Sequence, residues 1–273
     1  MRRAVFLAVW LAGGVMAQQV VFVTGDDEYR SEYSMPMLAR ILEAKHGMKT
    51  SVAYARPTPQ SNTNIEGLEA LATADLAVLY LRWRELPEEQ LGRILKYVES
   101  GKPLVGLRTA THSFRYPNGS PREYLNDRFG IEVWGQKWIR HHGAQSSTDV
   151  TVIPERAGHP VLRGVEKAFH ARSWLYVVEP LEGDATPLLV GKSVNPAGGR
   201  DAGPQPVAWT KTHKGGRVFF TTLGHPEDFR VEGVRKLVIN GMLWALGRDV
   251  PPGGAEAGIV GGYEPPAAGV PKR

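Results

Sequence analysis

The chain of 273 residues contains no cysteine, so it forms no disulfide and offers no thiolate as nucleophile or metal ligand. It also has no internal repeat, no heptad pattern, no long run of like charges and no Walker-type phosphate loop. These absences exclude cysteine-dependent catalysis, repeat and coiled-coil architectures, and nucleotide hydrolysis of the Walker type. Stability must come from an apolar core, which a chain of this length can bury.

The excess of positive charge is small. Lysine and arginine number 33 against 28 acidic residues, a net charge of +5. Arg2 and Arg3 lie in a segment that we expect to be removed, which leaves 31 basic residues against 28 and a net charge of +3. Because charges of both signs are interspersed, we predict an ordinary solvated surface and no nucleic-acid partner.

The N-terminus has the pattern of an export signal. Arg2-Arg3 precede a mostly apolar run from Ala4 to Met16, and Val15-Met16-Ala17 is a cleavage site of small-residue type. The run is shorter than the ~20 residues that cross a bilayer. We therefore predict a signal peptide at residues 1–17, a secreted or periplasmic protein, and no membrane span after cleavage. A retained N-terminal anchor is the alternative.

Apolar runs alternate with amphipathic stretches in the first part of the chain, which predicts parallel strands joined by right-handed helical crossovers. We predict one α/β domain over residues 18–249 and an extended or disordered Gly/Pro-rich tail over residues 250–273. The predicted strands are Val20–Thr24, Lys49–Tyr54, Asp75–Leu81 and Leu104–Leu107, and the predicted helices are Ser34–Leu42, Asn64–Thr73 and Leu86–Ser100.

Polar residues follow the apolar strand Leu104–Leu107 at once, and in open parallel sheets ligands bind outside the carboxyl ends of the strands. Arg108 comes first in this cluster, where a strand-to-helix turn directs a side chain out of the sheet. A guanidinium cannot be a nucleophile, but it can bind a carboxylate, a phosphate or a sugar oxygen. The alternative is an arginine in a buried structural ion pair.

A second candidate follows the predicted strand Arg217–Thr221. His225 should reach the same edge of the sheet as Arg108 if this strand is parallel to Leu104–Leu107. With Glu227 two residues on, His225 is a candidate general base and Glu227 the carboxylate that orients it. The alternative is a histidine at a helix start beside an exposed glutamate.

Further polar and aromatic residues at strand ends are candidates for substrate binding. His141 and His142 are adjacent, and neighbouring side chains of a strand point apart, so we expect only one of them at a given site. A divalent metal held by histidines and a carboxylate is a minority alternative, for which we assign no ligands. The predicted substrate-binding residues are Asp27, Trp83, Thr109, His112 and His142.

These motifs together resemble the trehalose-utilisation (ThuA-like) family over about Val20 to Arg248. The matching segments are Tyr29-Arg30 with Ser34–Leu38, Gly101–Phe114, His141–Gly143, His159–Gly164, Pro206–Trp209 and Gly216–Phe229. The resemblance implies a flavodoxin-like, class I glutamine amidotransferase-like fold, with three α/β/α layers and a mostly parallel central sheet. It also implies a small-molecule carbohydrate as partner.

In the amidotransferases that share this fold, a cysteine occupies the strand-to-helix turn and a His-Pro-Glu run supplies its partners. Here His225-Pro226-Glu227 is similar to that run, but Arg108 stands where the cysteine would be. Glutaminase chemistry is therefore excluded. We expect proton transfer on a sugar or keto-sugar, as in a keto-sugar isomerase, lyase or hydrolase. A non-catalytic sugar- or protein-binding module and a metal-dependent hydrolase are the alternatives, and a homo-oligomer is compatible with each.

Overall fold

A computed structural model of the chain describes residues 17–142, 145–194 and 203–269. The predicted signal peptide lies outside these residues except for Ala17. So do residues 270–273, at the end of the predicted tail. Within the described residues no helix is long and apolar enough to cross a membrane.

The described residues form a ten-stranded mixed sheet whose first half is parallel. In this half β2, β1, β4, β5 and β12 lie side by side and run in one direction. Its strands are β1 (Gln19–Gly25), β2 (Lys49–Ala55), the short antiparallel edge strand β3 (Ile65–Glu66), β4 (Leu76–Leu81) and β5 (Leu104–Leu107). Every β4 and β5 residue is buried, as expected of central strands covered on both faces.

The second half of the sheet is antiparallel and continues from β12 in the order β11, β10, β7, β8. A separate pair, β6 and β9, lies beside it. The strands are β6 (Arg140–His141), β7 (Ser147–Val152), β8 (Ala168–Ala171), β9 (Tyr176–Val177), β10 (Thr186–Val194), β11 (Gln205–His213) and β12 (Gly216–Thr221).

Helices cover both faces of the sheet, which confirms the predicted three-layer fold. The helices are α1 (Ser31–His46), α2 (Glu88–Val98), α3 (Leu125–Phe129) and α4 (Glu232–Ala245). Alternate strand residues enter two separate cores, since Phe22 packs with α1 and α4 while Val23 packs with α2 and α3. The helix predicted at Asn64–Thr73 is instead β3 followed by a short 3₁₀ turn at Leu68–Ala72.

After α4 the chain crosses the surface as a C-terminal segment, residues 251–269, without helix or strand. It is extended, and it packs against the domain. The Arg40 guanidinium donates to the carbonyls of Val260 and Gly262, both at 2.9 Å. The Tyr263 hydroxyl donates to the carbonyl of Pro226 at 3.0 Å. The segment ends beside the loop after β1, where Gly269 N–H donates to the Glu28 carbonyl.

Candidate functional site

Arg108 lies at the turn that directly follows β5. Its φ of 42° is a left-handed conformation that is uncommon for a residue other than glycine, and a 3₁₀ turn begins there. Strained backbone of this kind clusters at functional sites. The side chain is completely buried. The turn has the predicted geometry, but Arg108 does not reach solvent.

The Arg108 guanidinium joins several strand ends. It donates to the carbonyls of Thr222 at 2.8 Å and Trp174 at 3.3 Å, and to the Tyr29 hydroxyl at 3.0 Å. It also stacks near the rings of Tyr29 and Tyr176, 4.1 and 4.5 Å from their centres. The structural ion pair considered from the sequence is wrong, because these partners are carbonyls and phenols. Arg108 is a buried cation at the centre of the carboxyl edge.

His225 reaches the same edge as predicted, because β12 pairs with β5 in parallel and Thr221 lies opposite Leu107. Gly224 brings the two segments together. A Cβ atom there would lie 2.6 Å from the Tyr80 hydroxyl and 3.0 Å from the Arg108 Cβ, so the close packing requires glycine. The His225 ring lies 6.2 Å from the Tyr29 ring, which contacts Arg108.

The predicted orientation of His225 by Glu227 is wrong. Nδ1 of His225 accepts the backbone N–H of Glu227 at 3.1 Å, while the Glu227 carboxylate is exposed and pairs with Arg230. Asp228 holds this turn instead, because its buried Oδ2 accepts the backbone N–H groups of Gly224 and His225. With Nδ1 accepting, the proton of the neutral ring sits on Nε2, so His225 is a hydrogen-bond donor rather than a base.

His112 has the opposite hydrogen-bonding character to His225. The Thr111 hydroxyl donates to the Arg108 carbonyl at 3.1 Å, and the same oxygen lies 3.1 Å from Nδ1 of His112. A hydroxyl has only one proton. With that proton on the Arg108 carbonyl, we assign the proton of the neutral His112 ring to Nδ1 and the lone pair to Nε2. No hydrogen bond to this Nε2 is formed by the residues that the structure describes. His112 is therefore the candidate base.

Aromatic rings surround His112. Its ring centre lies 5.2 Å from Trp138, 5.5 Å from Trp83 and 6.2 Å from Tyr176. His141 extends the same cluster, 5.1 Å from Tyr176, and Trp174 lies 5.4 Å beyond it. We call this arrangement the strand-end site. Its members are Tyr29, Trp83, Arg108, His112, Trp138, His141, Trp174, Tyr176 and His225.

His141, rather than the predicted His142, joins the strand-end site. In β6 His141 lies opposite Tyr176 of β9, which turns its ring toward the aromatic cluster. The next residue therefore faces away, and His142 is buried near Ser193 and Leu175, to which its backbone is hydrogen-bonded. His141 Nε2 is buried without a hydrogen-bond partner in the described part of the chain.

All three imidazoles are neutral near neutral pH. Burial lowers the pKa of His225 to about 4 despite nearby Asp228, and the Arg108 charge adds to the effect. Burial likewise lowers the pKa of His141 to about 4, with Arg108 and Arg82 contributing. Burial, Arg82, His141 and Arg108 hold the pKa of His112 well below its usual value. One buried cation thus helps to keep every imidazole of the site unprotonated.

A match to a family covers most of the same residues. The sequence model of the family described as "Trehalose utilisation" (ThuA) matches residues 19–245. The chain belongs to the ThuA family. No curated protein sequence matches it significantly. The family match confirms the resemblance that the sequence motifs indicated, and it places the protein among those of carbohydrate utilisation.

Solved structures of ThuA-like proteins have the same fold. One from Bacteroides uniformis aligns with a TM-score of 0.61 at 17% identity, over 88% of this chain and 97% of its own. Another, from Parabacteroides merdae, aligns with a TM-score of 0.60 at 18% identity, over 86% of this chain and 92% of its own. At such identities the likeness extends to the fold alone.

The other three predicted binding residues of this ThuA protein differ in where the structure places them. Thr109 is completely buried and its hydroxyl has no hydrogen-bond partner among described residues, so it does not face a ligand. Asp27 pairs with Arg82 at 3.1 Å and Arg84 at 3.6 Å. Trp83 lies at the site, but the Arg82 guanidinium covers its ring at 3.7 Å. The half-buried Trp138 and Trp174 are the better platforms for a sugar ring.

Asp26 is a titratable group that sequence reasoning missed. It is 1% exposed and accepts the backbone N–H groups of Tyr29 at 2.7 Å and Glu28 at 3.2 Å. Burial raises its pKa to about 7, although these hydrogen bonds oppose the shift. No pattern in the sequence separates Asp26 from Asp27.

In the described residues no group of three or more His, Cys, Asp or Glu side chains is placed to hold a metal ion.

Proposed function

We propose that this ThuA protein is an enzyme that binds a sugar or keto-sugar at the strand-end site and moves a proton on it. One observation carries the proposal. The His112 ring is neutral, its Nε2 has no hydrogen-bond partner among the described residues, and Trp and Tyr rings surround it. A base beside aromatic surfaces suits a substrate with apolar ring faces and acidic C–H bonds.

In the proposed step, His112 Nε2 removes a proton from the carbon next to the carbonyl of a bound keto-sugar. Electron density moves onto the carbonyl oxygen, where the Nε2–H of His225 donates a hydrogen bond to the developing negative charge. A neutral imidazole that donates to a carbonyl avoids an early proton transfer. When the carbon that lost the proton carries a hydroxyl group, that hydroxyl proton passes to the former carbonyl oxygen and the proton on His112 returns to the former carbonyl carbon, which gives an isomer. In elimination the carbonyl re-forms, a substituent leaves the carbon beyond, and the proton on His112 passes to that leaving group.

Arg108 supports this chemistry without contacting the substrate. As a buried guanidinium it fixes Tyr29 and the ends of β5 and β12, and its charge depresses the imidazole pKa values. This role replaces the direct anion binding that we expected from the sequence.

The test is hydrogen exchange in D₂O, followed by proton NMR on a panel of hexoses, disaccharides and their keto derivatives. The wild-type protein should exchange the proton beside the carbonyl of at least one keto-sugar. His112→Gln should reduce the rate at least about 100-fold, the usual contribution of a general base. His170→Gln is the matched control, since His170 is exposed on β8 and pairs with Asp149. Equal rates in both variants would contradict the proposal.

A non-catalytic binding module is the second candidate. It is favoured by the burial of Arg108, since the residue at the position of the nucleophile in the related amidotransferase fold donates to protein groups and does not reach solvent. Sugar binding by calorimetry, with no exchange in the wild-type protein, would establish this alternative.

We also propose that the protein is exported, on the basis of Arg2-Arg3, the apolar run to Met16 and the small residue Ala17. Mass spectrometry of protein from the periplasm or the medium should give a mature chain that begins at Gln18. An uncleaved N-terminus in the cytoplasmic fraction would contradict export.

A further inference from the structure

A polar groove adjoins the strand-end site. It encloses about 580 Å³ and runs between the loop before β3, the loop after β4 and the chain after His112. This volume lies within the range of roughly 300–1,000 Å³ for small-molecule sites. We call it the polar groove, because most of its lining is polar. The polar residues are Asp27, Gln60, Asn62, Arg82, Arg84, Glu85, Arg115 and Asn118.

The groove shares one wall with the strand-end site. Trp83 lines the groove, and its ring also contacts His112 at 5.5 Å and Trp138 at 6.4 Å. The backbone fixes this wall, because Trp83 N–H donates to the His112 carbonyl and Arg84 N–H donates to the Ser113 carbonyl. Trp83 has a left-handed φ of 49°, as Arg108 does with 42°. Only the Trp83 indole thus separates a ligand in the groove from the His112 ring.

Several polar side chains that line the groove can hydrogen-bond to a ligand. The side chains of Gln60, Asn118 and Glu85 form no hydrogen bond or ion pair within the described residues. The Arg115 guanidinium carbon lies 5.3 Å from the centre of the Trp83 ring, and its side chain forms no hydrogen bond or ion pair within the described residues. Amide, carboxylate and guanidinium groups together supply donors and acceptors for neighbouring hydroxyl groups.

The charges of the groove favour a neutral ligand. Arg82 and Arg84 are compensated by Asp27, and Arg82 also pairs with Glu28. Arg115 and Glu85 remain, one of each sign. An anion would meet Glu85 and a cation would meet Arg115, whereas a polyhydroxylated ring can hydrogen-bond to both.

We propose that the polar groove is a second sugar subsite, so that the substrate is a disaccharide or a longer glycoside with its reacting ring at His112. The neighbouring ring lies beyond Trp83 and hydrogen-bonds to Arg115 and Asn118. This inference rests on the proposed function for the identity of the first subsite. It adds that the protein distinguishes glycosides from single sugars through side chains that take no part in proton transfer.

The test is calorimetric binding of glucose, maltose, cellobiose and trehalose to the wild-type protein and to Arg115→Gln and Asn118→Ala. We expect the best disaccharide to bind at least tenfold more tightly than glucose, and each variant to reduce that ratio to about threefold or less. Glucose affinity should stay unchanged. Arg156→Gln is the control, because Arg156 is exposed and remote in the short turn after β7.

Three results would overturn the subsite: equal affinities for glucose and every disaccharide, an unchanged ratio in both variants, or no binding of any of the four sugars. Its failure is distinguishable from failure of the proposed function. His112→Gln should leave the disaccharide preference intact. If the wild-type protein shows no hydrogen exchange but has a disaccharide preference that depends on Arg115, the subsite is supported and only the proposed proton transfer is contradicted.

Discussion

The Nη2 atom of Arg108 donates to the Tyr29 hydroxyl at 3.0 Å, while the guanidinium carbon lies 4.1 Å from the centre of the same ring. This contact joins the end of β5 to the loop after β1. Tyr29 is in turn the neighbour of His225, so the relationship connects three segments that are distant in the sequence.

Arg108→Met should lower the free energy of unfolding by at least about 3 kcal/mol. The substitution leaves buried carbonyls of Trp174 and Thr222 without their charged donor, and each such loss costs about 1–3 kcal/mol. Urea unfolding of the variant measures the effect. Arg156→Met, at an exposed arginine, should change stability by less than about 0.5 kcal/mol. A loss below about 1 kcal/mol at Arg108 would show that its contacts are not structural.

Asp26 should make the protein less stable as pH rises. Burial raises its folded-state pKa from 3.8 to about 7, so the folded state retains a proton that the unfolded state has released. The stabilisation is complete below about pH 4 and is lost as pH rises through about 7. Three pKa units correspond to roughly 4 kcal/mol. The unfolding free energy of Asp26→Asn should therefore increase relative to that of the wild type from pH 4 to pH 8. A constant difference between the two proteins would contradict the assignment.

His141 should have the opposite pH dependence. Burial depresses its folded-state pKa to about 4, so its contribution to stability is present above the unfolded value of 6.5 and is lost as pH falls through 4. His141→Gln should remove part of the acid sensitivity between about pH 6.5 and pH 4, as measured by thermal unfolding across that range. If the variant and the wild type lose stability in parallel as pH falls, the folded-state pKa of His141 is not depressed.

Tyr263 should stabilise the turn that carries His225. Its hydroxyl donates to the Pro226 carbonyl, so Tyr263→Phe should cost about 1 kcal/mol in unfolding free energy. Tyr33→Phe is the matched control, because Tyr33 is exposed and its hydroxyl forms no hydrogen bond within the described residues. Equal stability of the two variants would mean that the C-terminal segment does not hold this turn.

The sequence was sufficient to predict the parallel half of the sheet and the placement of Arg108 and His225 at the same edge. Both follow from apolar strand periodicity, because parallel neighbours place their carboxyl ends at one edge. Leu104–Leu107 was predicted with its observed bounds, and β12 begins one residue before its prediction.

The errors concern details that depend on pairing or on burial. Which of His141 and His142 faces the site depends on the register of β6 against β9, which local pattern does not specify. Glu227 and Asp228 are adjacent carboxylates, and only the capping geometry shows that Asp228 holds the turn. Trp174 lies between β8 and β9, and no sequence signal marks its partial exposure beside His141.

The central claim is that His112 and His225 face one ligand with opposite hydrogen-bonding character. Long-range ¹H–¹⁵N spectra of the imidazoles, recorded near pH 7 with and without the sugar that binds best, test it most directly. We predict an unprotonated Nε2 in His112, a protonated Nε2 in His225, and sugar-dependent shifts of both rings but not of His170. Sugar-bound spectra in which His112 and His225 remain unshifted, or in which their tautomers are reversed, would contradict the account.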